Sequence, residues 1–251
     1  MQGMSFALLL LLWSVAGGAS ARTVLLAHNH SRVAAAQQRL PSQRSFPDSA
    51  GKIALLVDQL PPSMTTAQLK FAASHYVGSG KLLLPETRAL RALNSEFIVM
   101  HYHLAIWQTA ENNPLIINGT SWGNDYSVVS THDNWFWRNT SGGRVVSTVD
   151  GKWLMNLSDP GFGAYWLESM TKQVVAGEYD AIFFDSASPP LIQGETVADP
   201  RLAGTGVKDN KIPQLGGLTY IKAWERWIAA LEQQLRQRGI PLIPNYDNFV
   251  T

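Results

Sequence analysis

With 251 residues, 45% of them hydrophobic and 16% charged, the chain carries enough apolar material for one sizeable core and is globular in composition. A net charge of +1, with no dense run of Lys and Arg, excludes strong electrostatic capture of nucleic acid or an anionic membrane and points to a neutral partner. Cysteine is absent, which excludes disulfides, thiolate metal sites and a cysteine nucleophile.

At the N-terminus, Phe6 to Trp13 form a short apolar run, followed by small residues ending in Ala19-Ser20-Ala21. This is the pattern of a signal-peptidase site, so residues 1–21 are expected to be a signal peptide cleaved before Arg22, and the protein to be secreted to the periplasm or the extracellular space. The run is shorter than the roughly 20 apolar residues of a membrane-spanning helix, and no stable membrane span is expected. A buried N-terminal helix is the alternative. Residues 22–50, rich in Arg, Gln, Ser and Ala, are read as a linker, and the folded domain as residues 51–251. Asn29, Asn118, Asn139 and Asn156 head N-glycosylation triplets, which matter only in a eukaryotic source.

From there strands and helices alternate. Residues 53–57 form a continuous apolar run, expected to be a parallel strand buried on both faces and ending at Asp58-Gln59. Thr65 and Gln68 have the spacing of a capping box that opens a helix to about Ser74. A Gly-broken strand over 76–84, a short helix from Pro85 to Leu93 and a strong strand over 97–106 follow. Residues 107–157 are an insertion without a clear helix. Asp159-Pro160 then starts a helix closed by Gly177, which leads into a strand over 180–188. Ile221, Trp224, Ile228, Leu231 and Leu235 mark a long amphipathic helix stopped by Gly239, and 241–246 is a fifth strand.

This alternation implies a mainly parallel α/β sheet, either doubly wound or a barrel. No phosphate-binding glycine fingerprint follows the first strand, which favours a (β/α)8 TIM-barrel type. About the first five βα units are visible, so the barrel is expected to be incomplete and the chain a fragment truncated at its C-terminus.

Catalytic groups of such a barrel sit at the C-terminal ends of its strands. Asp58, His101, His103, Asp185, Asn245 and Asp247 meet that criterion. Asp185, directly after an apolar run, is either a catalytic carboxylate or the cap of the following turn; Asp58 is either a ligand for sugar hydroxyls or a turn former. His101 and His103 share one side of their strand, with Tyr102 on the other. They are substrate-binding candidates or core histidines; a metal pair would need a third ligand that the sequence does not identify, so no metal and no cofactor are expected. Trp107, Trp122, Trp135 and Trp137 lie at the strand exit and in the insertion, as stacking platforms for sugar rings or as a satellite core.

Residues 132–146, 152–170 and 179–188, that is HDNWFWRNTSGGRVV, KWLMNLSDPGFGAYWLESM and YDAIFFDSAS, resemble in order and spacing the hypothetical glycosyl-hydrolase-like family 15. The resemblance covers roughly residues 95–250 and implies a (β/α)-barrel glycoside hydrolase. It makes Asp185 the position equivalent to the nucleophilic carboxylate and a carbohydrate the substrate. Cleavage of O-glycosidic bonds by two carboxylates would follow, with Asp247 the visible candidate for the second acid and a residue beyond Thr251 the other. A barrel that binds carbohydrate without cleaving it, or a metal-dependent hydrolase using His101 and His103, are the competing readings. The oligomeric state is not legible.

Overall fold

The computed structural model describes residues 44–48, 50, 53–61, 63–109, 126–190, 192–193, 196–197, 200–207 and 219–246. Residues 1–21, expected to be a signal peptide, and Asn29, Asn118, Trp122 and Asp247 therefore lie outside the described residues.

Five strands form one parallel sheet: β1 (Leu56–Val57), β2 (Gly78–Ser79), β3 (Ile98–Leu104), β6 (Ala181–Asp185) and β9 (Leu242–Pro244). Helices α1 (Thr66–His75), α2 (Leu84–Leu93), α4 (Pro160–Ala176) and α5 (Tyr220–Gln237) connect them in turn. The spatial order follows the chain order without reversal. Crossovers of one hand then stack every helix on the same face, whereas a doubly wound sheet reverses its order. The fold is thus an arc of a (β/α)8 barrel that is not closed among the described residues.

The local signals behave as their chemistry dictates. Thr65 and Gln68 form a reciprocal capping box at α1. The Asp159 carboxylate accepts from the amides of Gly161 and Phe162 at the start of α4, and Thr219 caps α5. Gly239, with φ +70°, carries the chain out of α5.

Along the long strands the side chains alternate between two buried faces. Val99, Ile182 and Phe184 point into the main core under the helices, where Phe184, Trp166 and Trp227 have ring centroids 5.2–5.8 Å apart. Ile98, Met100 and Ala181 point to the inner face and pack against Phe46, Phe183 and Ile243. Asp180, 2% exposed, stands at the N-terminal end of β6. It pairs with Arg44 at 3.1 Å and Arg91 at 2.6 Å and accepts the Val99 amide at 2.9 Å. Arg44 and Phe46 belong to the segment read as a linker; its polar composition hides two side chains that anchor it to the sheet.

Two expectations are corrected. The strand at 53–57 is not buried on both faces: only Leu56 and Val57 pair, and Ile53 and Leu55 are 90% and 53% exposed, because among the described residues β1 has a neighbour on one side only. The insertion at 107–157, expected to lack a clear helix, carries short regular elements. β4 (Trp107–Gln108) pairs antiparallel with β5 (Trp153–Leu154), and the four-residue helix α3 (Tyr126–Val129) lies between them in the chain. A second small hairpin, β7 (Ile192–Gln193) with β8 (Thr196–Val197), follows β6.

Candidate functional site

The inner-face register that buries Ala181 and half-buries Phe183 brings Asp185, the last residue of β6, to the same face at the C-terminal end. Its Oδ2 accepts a 2.6 Å hydrogen bond from the Tyr102 hydroxyl, and its Oδ1 accepts one of 2.8 Å from Asn245 Nδ2. Both oxygens act as acceptors, the pattern of an ionised carboxylate. Asn245 is held in turn by its backbone: its amide donates to Phe184 O at 2.9 Å and its carbonyl accepts from Ala187 N at 3.0 Å.

The contacts continue across the earlier strands. The Lys81 ammonium lies 4.5 Å from the Tyr102 ring centroid and 2.7 Å from Asp58 Oδ2. Asp58 follows β1, Lys81 follows β2, Tyr102 lies on β3, Asp185 ends β6 and Asn245 follows β9. Each strand of the sheet therefore contributes one side chain to a continuous polar chain at its C-terminal end. Lys81 and Ser186 both have φ +51°, a left-handed conformation that costs a non-glycine residue roughly 1–2 kcal/mol. Such strain collects at functional sites.

Of the residues read from the sequence, Asp58, Asp185 and Asn245 come together here. His101 and His103 do not: they share a side as expected, but it is the helix-facing side. His101, 3% exposed, stacks on Tyr179 with ring centroids 5.0 Å apart, and neither ring nitrogen makes a hydrogen bond of ordinary geometry. Burial, reinforced by the neighbouring His103 and opposed by Gln173, pulls its pKa down to about 3. His103 packs edge-on to Trp166 at 5.5 Å, and its Nδ1 lies 2.6 Å from Leu104 O. Both are core histidines rather than substrate ligands. Among the described residues, no group of three or more His, Asp or Glu side chains could hold a metal ion.

Trp107, Trp135 and Trp137 are likewise buried, and they join the main core with Phe184 and Trp166 rather than a separate satellite cluster. Trp107 lies beneath the Arg201 guanidinium, Trp135 stacks on His132 at 3.8 Å and packs against Tyr165, and Trp137 meets the edge of Tyr220 at 4.6 Å. Their faces are covered by protein, so they offer no sugar platform in this structure. Tyr246, beside Asn245, is an exposed aromatic at the strand ends. A cavity of about 740 Å³ opens elsewhere, between α4 and α5, and no residue of the Asp58–Asn245 chain lines it.

Tyr102 and Lys81 escaped the sequence reading. Alternation places Tyr102 opposite the histidines, and choosing the face of Asp185 as the site would have selected it. Nothing in the residue pattern signals the left-handed backbone of Lys81.

An arc of a (β/α) barrel with an oriented carboxylate at its strand ends defines the class. Residues 91–249 match hypothetical glycosyl hydrolase family 15, and the chain belongs to that family. No curated protein matches the chain. Among solved structures it is similar to a cycloisomaltooligosaccharide glucanotransferase of Paenibacillus sp. complexed with cycloisomaltoheptaose, at 10% identity and TM-score 0.48, over 76% of this chain and 29% of that one. It is also similar to the α-galactosidase of Thermus thermophilus in complex with stachyose, at 10% identity and TM-score 0.41, over 84% and 42% of the two chains. The α-galactosidase of Lactobacillus brevis matches at 10% identity and TM-score 0.40, over 77% and 22%. The chain spans less than half the length of each of these three proteins. Among the described residues no helix is long and apolar enough to cross a membrane.

Proposed function

We propose that the protein is a secreted glycoside hydrolase that cleaves O-glycosidic bonds of a neutral poly- or oligosaccharide, with Asp185 as the ionised member of a carboxylate pair. The observation that carries this reading is the position of Asp185: last residue of a barrel strand, on the inner face, with both oxygens oriented by Tyr102 and Asn245. Membership of a glycosyl hydrolase family supports the chemistry. In that chemistry the second carboxyl protonates the departing glycosidic oxygen while Asp185 attacks the anomeric carbon or takes a proton from the attacking water. Asp247, outside the described residues, is the visible candidate for the second acid. Asp58, more than half exposed, retains the place of a hydroxyl ligand at the rim. Secretion rests on the Ala19-Ser20-Ala21 motif, and N-terminal sequencing of the exported protein should begin at Arg22.

The test is hydrolysis of a panel of neutral oligosaccharides by the wild type and Asp185→Asn, with binding followed by calorimetry. Turnover should fall by at least the 10²–10⁴-fold (order of magnitude) that acid–base help supplies, with binding largely kept. A wild type that binds glycans and cleaves none would put a carbohydrate-binding barrel in place of the enzyme.

A further inference from the structure

We propose that Tyr102 and Lys81 are positioning residues for Asp185: Lys81 fixes the Tyr102 ring, and the Tyr102 hydroxyl fixes the plane of the carboxylate. The inference rests on the assignment of Asp185 as the reacting carboxylate.

A carboxylate held through one oxygen still rotates about its last side-chain bond. One held through both presents its remaining lone pairs in a single direction. Asn245 supplies one of these bonds and Tyr102 the other, at 2.8 and 2.6 Å. A tyrosine ring has two soft torsions, and here two neighbours engage the ring: Phe183 packs against it at 5.9 Å and the Lys81 ammonium sits 4.5 Å from its centroid. Lys81 is itself located by Asp58 at 2.7 Å, with only 16% of its side chain exposed.

The backbone makes the same point. At φ +51° glycine is the unstrained residue, and Gly80 immediately precedes this position. A lysine there has to offset the strain through contacts of its side chain, and those contacts run to Asp58 and Tyr102. Lys81 therefore acts on the site through Tyr102.

The experiment compares Tyr102→Phe, Lys81→Met, the double variant and Asp185→Asn on the oligosaccharide that the wild type hydrolyses best. Tyr102→Phe keeps the ring and the lysine contact and deletes only the hydroxyl. Its kcat should fall about 10–100-fold, the range for a hydrogen bond to a charged group, with KM changed by no more than about twofold. Lys81→Met should lower kcat about two- to fivefold. Because Lys81 works through the hydroxyl, the double variant should be no slower than Tyr102→Phe alone. Rates are taken per folded molecule below each variant's thermal transition, so a loss of stability does not count as a loss of kcat. An unchanged kcat in Tyr102→Phe, an effect confined to KM, or multiplicative losses in the double variant would each overturn the inference. If Asp185→Asn is inactive while Tyr102→Phe is not, only the inference falls. If Asp185→Asn keeps wild-type turnover, the assignment of Asp185 falls first.

Discussion

His101 gives a prediction whose size follows from its surroundings. Burial against Tyr179 and beside His103 lowers its folded-state pKa to about 3, whereas an unfolded histidine titrates near 6.5. Below about pH 6.5 the unfolded chain takes up a proton at this position that the folded chain refuses, so stability is intact above that value and is lost as pH falls toward 3. Between pH 7.5 and 5.0 the loss is about 1.5 pH units at 1.36 kcal/mol each, or ~2 kcal/mol. The figure depends on the unfolded value and barely on the folded one, provided the latter lies below about 4. For a folded unit of this size it corresponds to roughly 4–8 °C in Tm. The assay is thermal or urea unfolding at both pH values for the wild type and His101→Phe, which keeps an aromatic ring against Tyr179 and cannot titrate. Ionisable groups remote from position 101 contribute equally to both proteins and cancel in the difference. The wild type should lose ~2 kcal/mol more than the variant between the two pH values. Equal losses would show that His101 is not held neutral in the core.

Asp180→Asn removes a buried carboxylate and leaves the partly buried Arg91 and Arg44 without their counter-charge, and should destabilise the fold by about 3–5 kcal/mol in urea unfolding, with a cost below about 1 kcal/mol contradicting the structural role. Gly78→Ala would drive a Cβ into the Ile98 carbonyl oxygen and to 2.8 Å from Ile98 Cβ, so the β2–β3 pairing should weaken, read as a lower melting temperature and faster amide exchange in β3. Trp137→Ala should cost about 3–5 kcal/mol of stability, with sugar affinity per folded molecule unchanged; a selective loss of affinity at full stability would return this residue to the binding surface.

The capping box at Thr65, the Asp159 cap and the alternation of strands and helices were legible because their causes lie within a few residues of each other. Asp58, Asp185 and Asn245 were legible because a barrel strand delivers its functional groups at one end. The histidines show where that logic stops. Period-2 alternation establishes that His101 and His103 share a side. In a barrel strand both sides are buried, though, so composition does not say which of them meets the helices. The tryptophans fail for a related reason: a large aromatic suits a core and a sugar platform equally, and the β4–β5 pairing that holds Trp107 joins it to Leu154, far along the chain. At 53–57 the apolar run describes what the chain could bury, and the sheet pairs only two of its residues.

The account stands on the claim that the sugar reacts at Asp185, and the most direct measurement is a crystal structure of Asp185→Asn with a cleavable oligosaccharide bound. The account predicts that the anomeric carbon of the bond to be cut lies about 3–3.5 Å from the side chain at position 185, over the strand ends and within reach of Asp58 and Asn245. A saccharide held instead in the groove between α4 and α5, with the side chain at position 185 facing no sugar, would contradict it.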